Sequence, residues 1–187
     1  MAFFTILAAS APVSAQETVV TLEPAQTQIE YTLGATLHAV HGTFKLRSGI
    51  VHFDPATGRA TGRIVVDATS GNSGNDGRDS KMHREILESQ KYPEIVFTPA
   101  QTQGTLNPQG ASQFEVTGIF RLHGQDHEVT FPVTVQIAGA RATASTHFEV
   151  PYQQWGLKNP STFILRVKDT VDIDVVAAGR LSSAPGK

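Results

Sequence analysis

The chain contains no cysteine and a single tryptophan among its 187 residues, and only 17% of its residues are charged. The lack of cysteine excludes disulfides, thiolate catalysis, thiolate zinc sites and iron–sulfur clusters. Lys and Arg (15) are balanced by Asp and Glu (17). This balance disfavours nucleic-acid binding, which depends on clustered cations that meet phosphates. A mass of 20.1 kDa with 40% hydrophobic residues fits one globular domain.

The N-terminus carries an apolar run, Ala2–Ala11, that is too short to span a bilayer, which takes about 20 apolar residues. Its length is typical of the hydrophobic part of an export signal, and residues 13–15 (Val-Ser-Ala) resemble a cleavage site. We therefore predict a signal peptide over residues 1–15 and one exported, soluble, periplasmic domain over residues 16–187. A buried first strand or helix is the alternative interpretation.

Alternation of apolar and polar residues recurs along most of the chain. Between residues 114 and 122, every second residue from Phe114 to Leu122 is apolar or glycine, and the pattern resumes from Val129 to Ile137 after a turn at residues 123–126. This pattern predicts a hairpin of two long strands. Pro132 lies at an outward position of the second strand, which indicates a bulge or an edge.

Similar stripes elsewhere predict about eight or nine strands with almost no helical repeat between them. Antiparallel strands with one apolar face build either a sandwich or a closed barrel, and an eight-stranded barrel can hold a small ligand. Small inward residues (Gly118, Ala144 and Ala177) would leave space inside unless facing phenylalanine rings fill it. One short helix is predicted near residues 79–90, with Asp79 as its N-cap.

The seven histidines raise the alternative of a metal or catalytic site. His38 and His41 would face opposite sides of a strand, His123 and His127 flank a hairpin turn, and no HExxH motif occurs. The sequence also lacks a Gly-x-Ser-x-Gly motif. The glycine-rich loop 71–77, followed by Arg78, is either a connector or an anion site at the start of the helix.

Between residues 22 and 178 the chain resembles the YceI-like family, periplasmic polyisoprenoid-binding proteins with a lipocalin-like barrel. The most specific stretch runs from Gly74 through Arg78-Asp79 and a short helix to Lys91-Tyr92-Pro93. Supporting matches are residues 42–44, 53–55, 116–118 and the turn 122–124. Residues 150–157 depart from the usual pattern of the family.

The resemblance implies an all-β, antiparallel, about eight-stranded lipocalin-like barrel with one short helix. It also implies a non-enzymatic function, the carriage or sequestration of a long-tailed amphiphile such as a polyisoprenoid or an isoprenoid quinone. We expect no metal, cofactor or nucleic acid; membrane exchange would be transient, and exposed strand edges would allow a homodimer without selecting one. A barrel enzyme or redox accessory using histidine and aspartate residues at the rim is the alternative, and a barrel filled by its own side chains is a third.

Two groups of residues are predicted to form the binding site. The inward stripes are expected to line the ligand, and polar or aromatic residues at one rim of the barrel are expected to meet its headgroup. The predicted lining residues are Phe44, Phe53, Ile64, Val66, Phe97, Phe114, Phe120, Phe131, Val133 and Phe148. The predicted headgroup residues are Arg78, Asp79, His83 and Trp155.

Overall fold

The computed structural model describes residues 17–36, 38–107, 110–161 and 166–183. The predicted signal peptide, residues 1–15, lies outside the described residues. Nine strands and one helical segment make up this part of the chain. The strands are β1 (Thr18–Leu22), β2 (Gln28–Leu33), β3 (Val40–Phe53), β4 (Ala60–Asn72), β5 (Glu94–Gly104), β6 (Ala111–Leu122), β7 (Gln125–Ala138), β8 (Arg141–Val150) and β9 (Val171–Ser183).

The strands form one closed antiparallel barrel, as predicted. The two short strands β1 and β2 each pair with β3 on one side and with β9 on the other. Together they fill one of eight positions in the wall, separated by a single 3-10 turn at Pro24–Gln26. Closure leaves the wall without a free outer edge strand and rules out the two-layer sandwich.

The predicted hairpin is formed by β6 and β7, which pair along the whole length of β6. A two-residue turn, His123-Gly124, joins them, and both residues have positive φ (53° and 76°). Positive φ at both positions is the requirement of the type I′ turn, whose twist suits a tight hairpin. The register places Phe120 opposite His127 and Phe114 opposite Val133, so these four side chains share the inner face.

The pairing of β7 with β8 is much shorter than either strand. The ladder joins Thr134–Ala138 of β7 to Arg141–Ser145 of β8. Strand β7 itself is continuous from Gln125 to Ala138 and includes Pro132. Proline has no backbone N–H to donate to a neighbour, which explains why the ladder ends close to it. Beyond that point the Thr146 hydroxyl donates to the Pro132 carbonyl oxygen at 2.6 Å.

The helical segment starts three residues earlier than the sequence predicted. Helix α1 spans Asp76–Lys81 and continues into one wider π-helical turn over Met82–Ile86. Its N-cap is Asn75, whose side-chain oxygen accepts from the Arg78 N–H, so the assignment of Asp79 as N-cap was wrong. No helix of the part described has the length and apolar character needed to cross a bilayer.

The barrel end next to α1 is closed by a hydrophobic cluster. Leu122, Val150, Tyr152 and Leu157 are buried there, and the loop after β8 supplies the last two. The Tyr152 hydroxyl donates to the Lys168 carbonyl oxygen at 2.6 Å, which ties this loop to the segment before β9. Burial, with a smaller contribution from Asp169, raises the pKa of Tyr152 to about 12, so the phenol remains a donor.

Candidate ligand-binding interior

All ten predicted lining residues lie on the inner face of the barrel. Ile64, Phe97 and Phe120 are neighbours across β4, β5 and β6, and the register carries the same face along each strand. Phe44 lies toward the helix end, where its ring contacts Tyr31 at 5.5 Å between centroids. Phe53 lies toward the opposite end and contacts Phe114 at 5.8 Å.

Aromatic rings form a continuous series of contacts through the middle of the interior. Phe97 contacts Phe131 at 5.0 Å between centroids, and Phe131 stacks on Phe148 at 4.6 Å. Phe148 contacts Phe120 at 6.0 Å, and Phe120 contacts Trp155 at 5.7 Å. These spacings suit offset or edge-to-face packing. The interior is therefore lined by rings that touch one another, rather than by a wide empty tunnel.

The interior nevertheless retains accessible space. Among the ten residues only Phe114 and Phe131 are buried, each 8% exposed, whereas the other eight keep part of their surface accessible. A packed protein core leaves few voids larger than a water molecule, so inward-facing rings in such a core would be buried. The partial exposure of the inward rings indicates free volume beside them.

Gly118 explains how the ring series crosses from β5 to β7. A Cβ placed at Gly118 would lie 2.8 Å from the Phe97 ring and 2.4 Å from the Thr98 carbonyl oxygen. Because Gly118 has no side chain, the Phe97 ring packs directly over it. In this position the Phe97 ring contacts Phe131. The sequence left open whether the space at Gly118 stays free or is filled by a phenylalanine ring, and the structure has the Phe97 ring there.

The four predicted headgroup residues are not brought together. Asp79 accepts from the Ser73 N–H and hydroxyl, and the Arg78 guanidinium donates to the Ser73 hydroxyl and carbonyl oxygens. His83 contacts the Gly71 carbonyl oxygen at 2.9 Å and the Ser89 hydroxyl at 3.0 Å. Three of the four residues therefore anchor the helical segment to the end of β4.

Two backbone donors that could have helped to hold an anion are used inside this segment. The Ser73 N–H is bound by Asp79 and the Arg78 N–H by Asn75. Burial acts to raise the pKa of Asp79, but the Ser73 hydrogen bonds and nearby Arg78 outweigh it, and the net shift is downward. The geometry favours a structural connector over an anion site at residues 71–77.

Trp155 lies apart from the helix anchors and reaches the inner face of β7. Its ring stacks on the His127 imidazole, with 4.1 Å between centroids and 5° between planes. His127 shares the inner face with Phe120, its partner across the hairpin. Its Nε2 atom is buried and has no hydrogen-bond partner among the residues that the structure describes.

Comparison with known proteins assigns this architecture. A sequence model of the YceI-like domain matches residues 20–178. The chain belongs to the YceI-like family. A search of the curated proteins found none that matches.

Solved structures share the fold at low sequence identity. BcnA of Burkholderia cenocepacia superposes with a TM-score of 0.69 at 19% identity, covering 84% of this chain and 98% of BcnA. A polyisoprenoid binding domain of Saccharophagus degradans, implicated in plant cell wall breakdown, has a TM-score of 0.64 at 17% identity, with coverages of 87% and 98%. The Campylobacter jejuni YCEI protein has a TM-score of 0.59 at 17% identity, with coverages of 81% and 88%.

The histidines of this YceI-like chain do not converge on one point. His41 contacts Thr32, His147 contacts Asp174, and His123 lies against Tyr92. Across residues 17–36, 38–107, 110–161 and 166–183, no group of three or more His, Cys, Asp or Glu residues could hold a metal ion. The metal site that the histidines suggested is therefore not formed by the described residues.

Two surface grooves lie on the outside of the barrel. One, of about 660 Å³, runs beside the helical segment and is lined mainly by polar residues, including His83, Ser89 and Lys91. The other, of about 310 Å³, lies over the outer face of β4, β5 and β6. Neither groove is lined by any of the inward rings, so both are separate from the candidate interior.

His127 is a polar residue of the interior that the predicted lining omitted. The sequence analysis treats it only as a candidate for a metal site or for a catalytic rim. The alternation of β7 places residue 127 in the same stripe as Val129 and Phe131, which is the signal that could have identified it. Its contact with Trp155 was not accessible from sequence, because that residue belongs to a loop 28 positions further along the chain.

Proposed function

We propose that this chain binds the apolar tail of an amphiphilic lipid, a polyisoprenoid or an isoprenoid quinone, inside its barrel and carries or sequesters it without converting it chemically. The observation that carries this proposal is the inward column of aromatic and aliphatic residues, most of which keep accessible surface. The Saccharophagus degradans relative, described as a polyisoprenoid binding domain, supports the same ligand class. The predicted export signal supports a periplasmic location.

The energetics of tail burial suit a carrier. Burying one five-carbon isoprene unit is worth about 3–4 kcal/mol at about 0.8 kcal/mol per CH₂. Several units would exceed the practical affinity ceiling of about −18 to −21 kcal/mol, so ordering of the tail offsets part of the gain. The competing environment is the membrane rather than water. Release to a bilayer therefore costs far less than release to water.

The test is lipid content of the protein purified from its own host. Organic extraction and mass spectrometry should recover an isoprenoid lipid in near-stoichiometric amount. Phe120→Trp enlarges an inward ring and should reduce the lipid load to below half. Ile119→Trp is the matched control, because residue 119 is the next residue on β6 but faces outward and is 37% exposed.

Equal lipid loads in the two variants would place the ligand outside the barrel. Folded wild-type protein without any bound lipid, and unable to take one up from vesicles, would overturn the proposal. Circular dichroism on both variants establishes that the fold is retained.

A further inference from the structure

We infer that His127 is the hydrogen-bonding residue inside the barrel for the ligand's headgroup, and that this headgroup is an uncharged carbonyl or hydroxyl. The inference rests on the proposed function, since it takes the interior to be the binding site. It adds a specificity-determining residue and a headgroup chemistry to that proposal.

The first support is the position of the imidazole. The β6–β7 register directs His127 inward beside Phe120, and stacking on Trp155 fixes the plane of its ring. These neighbours are aromatic, so the imidazole is a polar group on an otherwise apolar surface. A headgroup bound here would leave the tail free to follow the ring series toward Phe131.

The second support is the unsatisfied nitrogen. His127 Nε2 is buried without a hydrogen-bond partner in the described part of the chain. A buried polar atom left without a partner costs about 1–3 kcal/mol, and native proteins contain few of them. A ligand atom that bonds to Nε2 recovers that cost on binding.

The third support concerns charge. Burial lowers the pKa of His127, against the opposing effect of the Asp126 carboxylate, so the ring is neutral at pH 7. A neutral imidazole nitrogen serves either as donor to a carbonyl or as acceptor from a hydroxyl. A phosphate is bound best by cations or by several N–H donors together, and a single neutral imidazole supplies neither.

The cations of the helical segment and of the hairpin are already engaged. Arg121 binds Asp126 through two hydrogen bonds on the outer face, and Lys81 donates to the Pro160 carbonyl oxygen. Arg78 binds Ser73, Arg84 binds Glu85, and the Lys91 ammonium lies over the Tyr92 ring. A phosphate would therefore compete with an existing partner for each of these cations.

The Trp155 ring stacks on one face of the imidazole, so a headgroup bound at the Nε2 edge would lie beside that ring. Trp155 is the single tryptophan of the chain, and its fluorescence therefore reports this site alone. Binding of a headgroup at His127 should change the tryptophan emission in a saturable way.

The test compares three ligands with the same C20 isoprenoid tail: an alcohol, the hydrocarbon that lacks the hydroxyl, and the monophosphate. Wild-type protein should bind the alcohol about 2- to 10-fold more tightly than the hydrocarbon, as one net hydrogen bond of about 0.5–1.5 kcal/mol gives. His127→Phe keeps the stacking on Trp155 and should bring this ratio close to one while leaving hydrocarbon affinity within about 2-fold. His147→Phe makes the same change on the outer face, where His147 pairs with Asp174, and should keep the wild-type ratio.

Several results would overturn the inference. The ratio of alcohol to hydrocarbon affinity could persist in His127→Phe, both affinities could fall together as a mere packing defect would cause, or wild-type protein could favour the monophosphate. If none of the three ligands binds, the proposed function itself fails. If the hydrocarbon binds and the hydroxyl adds nothing, only the assignment of His127 fails.

Discussion

At the scale of single residues, the interior depends on which inward position lacks a side chain. Phe97 lies over Gly118 because no Cβ occupies that space, and only from there does its ring meet Phe131. Alternation identified both residues as inward. It could not predict that one fills the space of the other, because this depends on the β5–β6 register, which is shifted by an irregularity between Pro99 and Gln101.

Gly118→Val tests this packing. Its Cβ would lie 2.4 Å from the Thr98 carbonyl oxygen, a backbone atom, and would displace Phe97. We expect a loss of about 1–3 kcal/mol in the free energy of unfolding, as for other overpacked sites, measured by urea denaturation.

Gly77→Ala is the control for that experiment. Gly77 lies in α1, and an added Cβ would meet only the Asn75 side-chain oxygen, at 3.5 Å. Alanine favours a helix by about 0.5–1 kcal/mol over glycine, so this variant should be unchanged or slightly more stable. A destabilisation of Gly118→Val no larger than that of Gly77→Ala would contradict the packing described.

At the scale of elements, the helical segment shows where local sequence signals compete. Asn75 and Asp79 are both residues that favour the N-cap position. The chain uses Asn75, because Asp79 instead binds Ser73 at the end of β4. The existence of a short helix was predictable from local pattern, whereas its start was decided by a contact six residues back.

Asn75→Ala should weaken the first turn of α1. Loss of a cap costs about 1 kcal/mol, which corresponds to about 5-fold faster amide exchange at Arg78, the residue whose N–H binds Asn75. Hydrogen exchange measured by NMR would check this. Asn75→Ser retains a capping oxygen and should exchange nearly as slowly as wild type; equal acceleration in both variants would argue against the cap.

At the scale of the whole molecule, the free energy of unfolding depends on pH through an inward histidine and through aspartates outside the interior. Burial lowers the pKa of His127 below its ordinary value of 6.5, so the unfolded chain binds the proton more readily than the folded one. Stability from this residue is complete above pH 6.5 and is lost as the pH falls below that value. Hydrogen bonds lower the pKa of Asp54, Asp67 and Asp126 below 3.8, so their contributions are lost only in stronger acid.

Urea denaturation between pH 8 and pH 5 should therefore show stability falling on the acid side for wild-type protein. The decrease in the free energy of unfolding per pH unit should be smaller in His127→Phe, because that variant has no imidazole to protonate inside the barrel. His147→Phe, changed on the exposed outer face, should keep the larger part of the wild-type slope. Parallel profiles for wild type and His127→Phe would contradict the burial of this imidazole.

The amino-acid sequence alone determined the strands, the β6–β7 hairpin, the short helical segment, the inward stripes and the resemblance to a family. These follow from spacing along an extended chain, where side chains alternate between faces regardless of which strand lies alongside. Only the tertiary structure decided that the sheet closes, that Phe97 covers Gly118 and that Trp155 stacks on His127. Such contacts join residues far apart in sequence, and their geometry depends on the register and neighbours of whole strands, which no local pattern specifies.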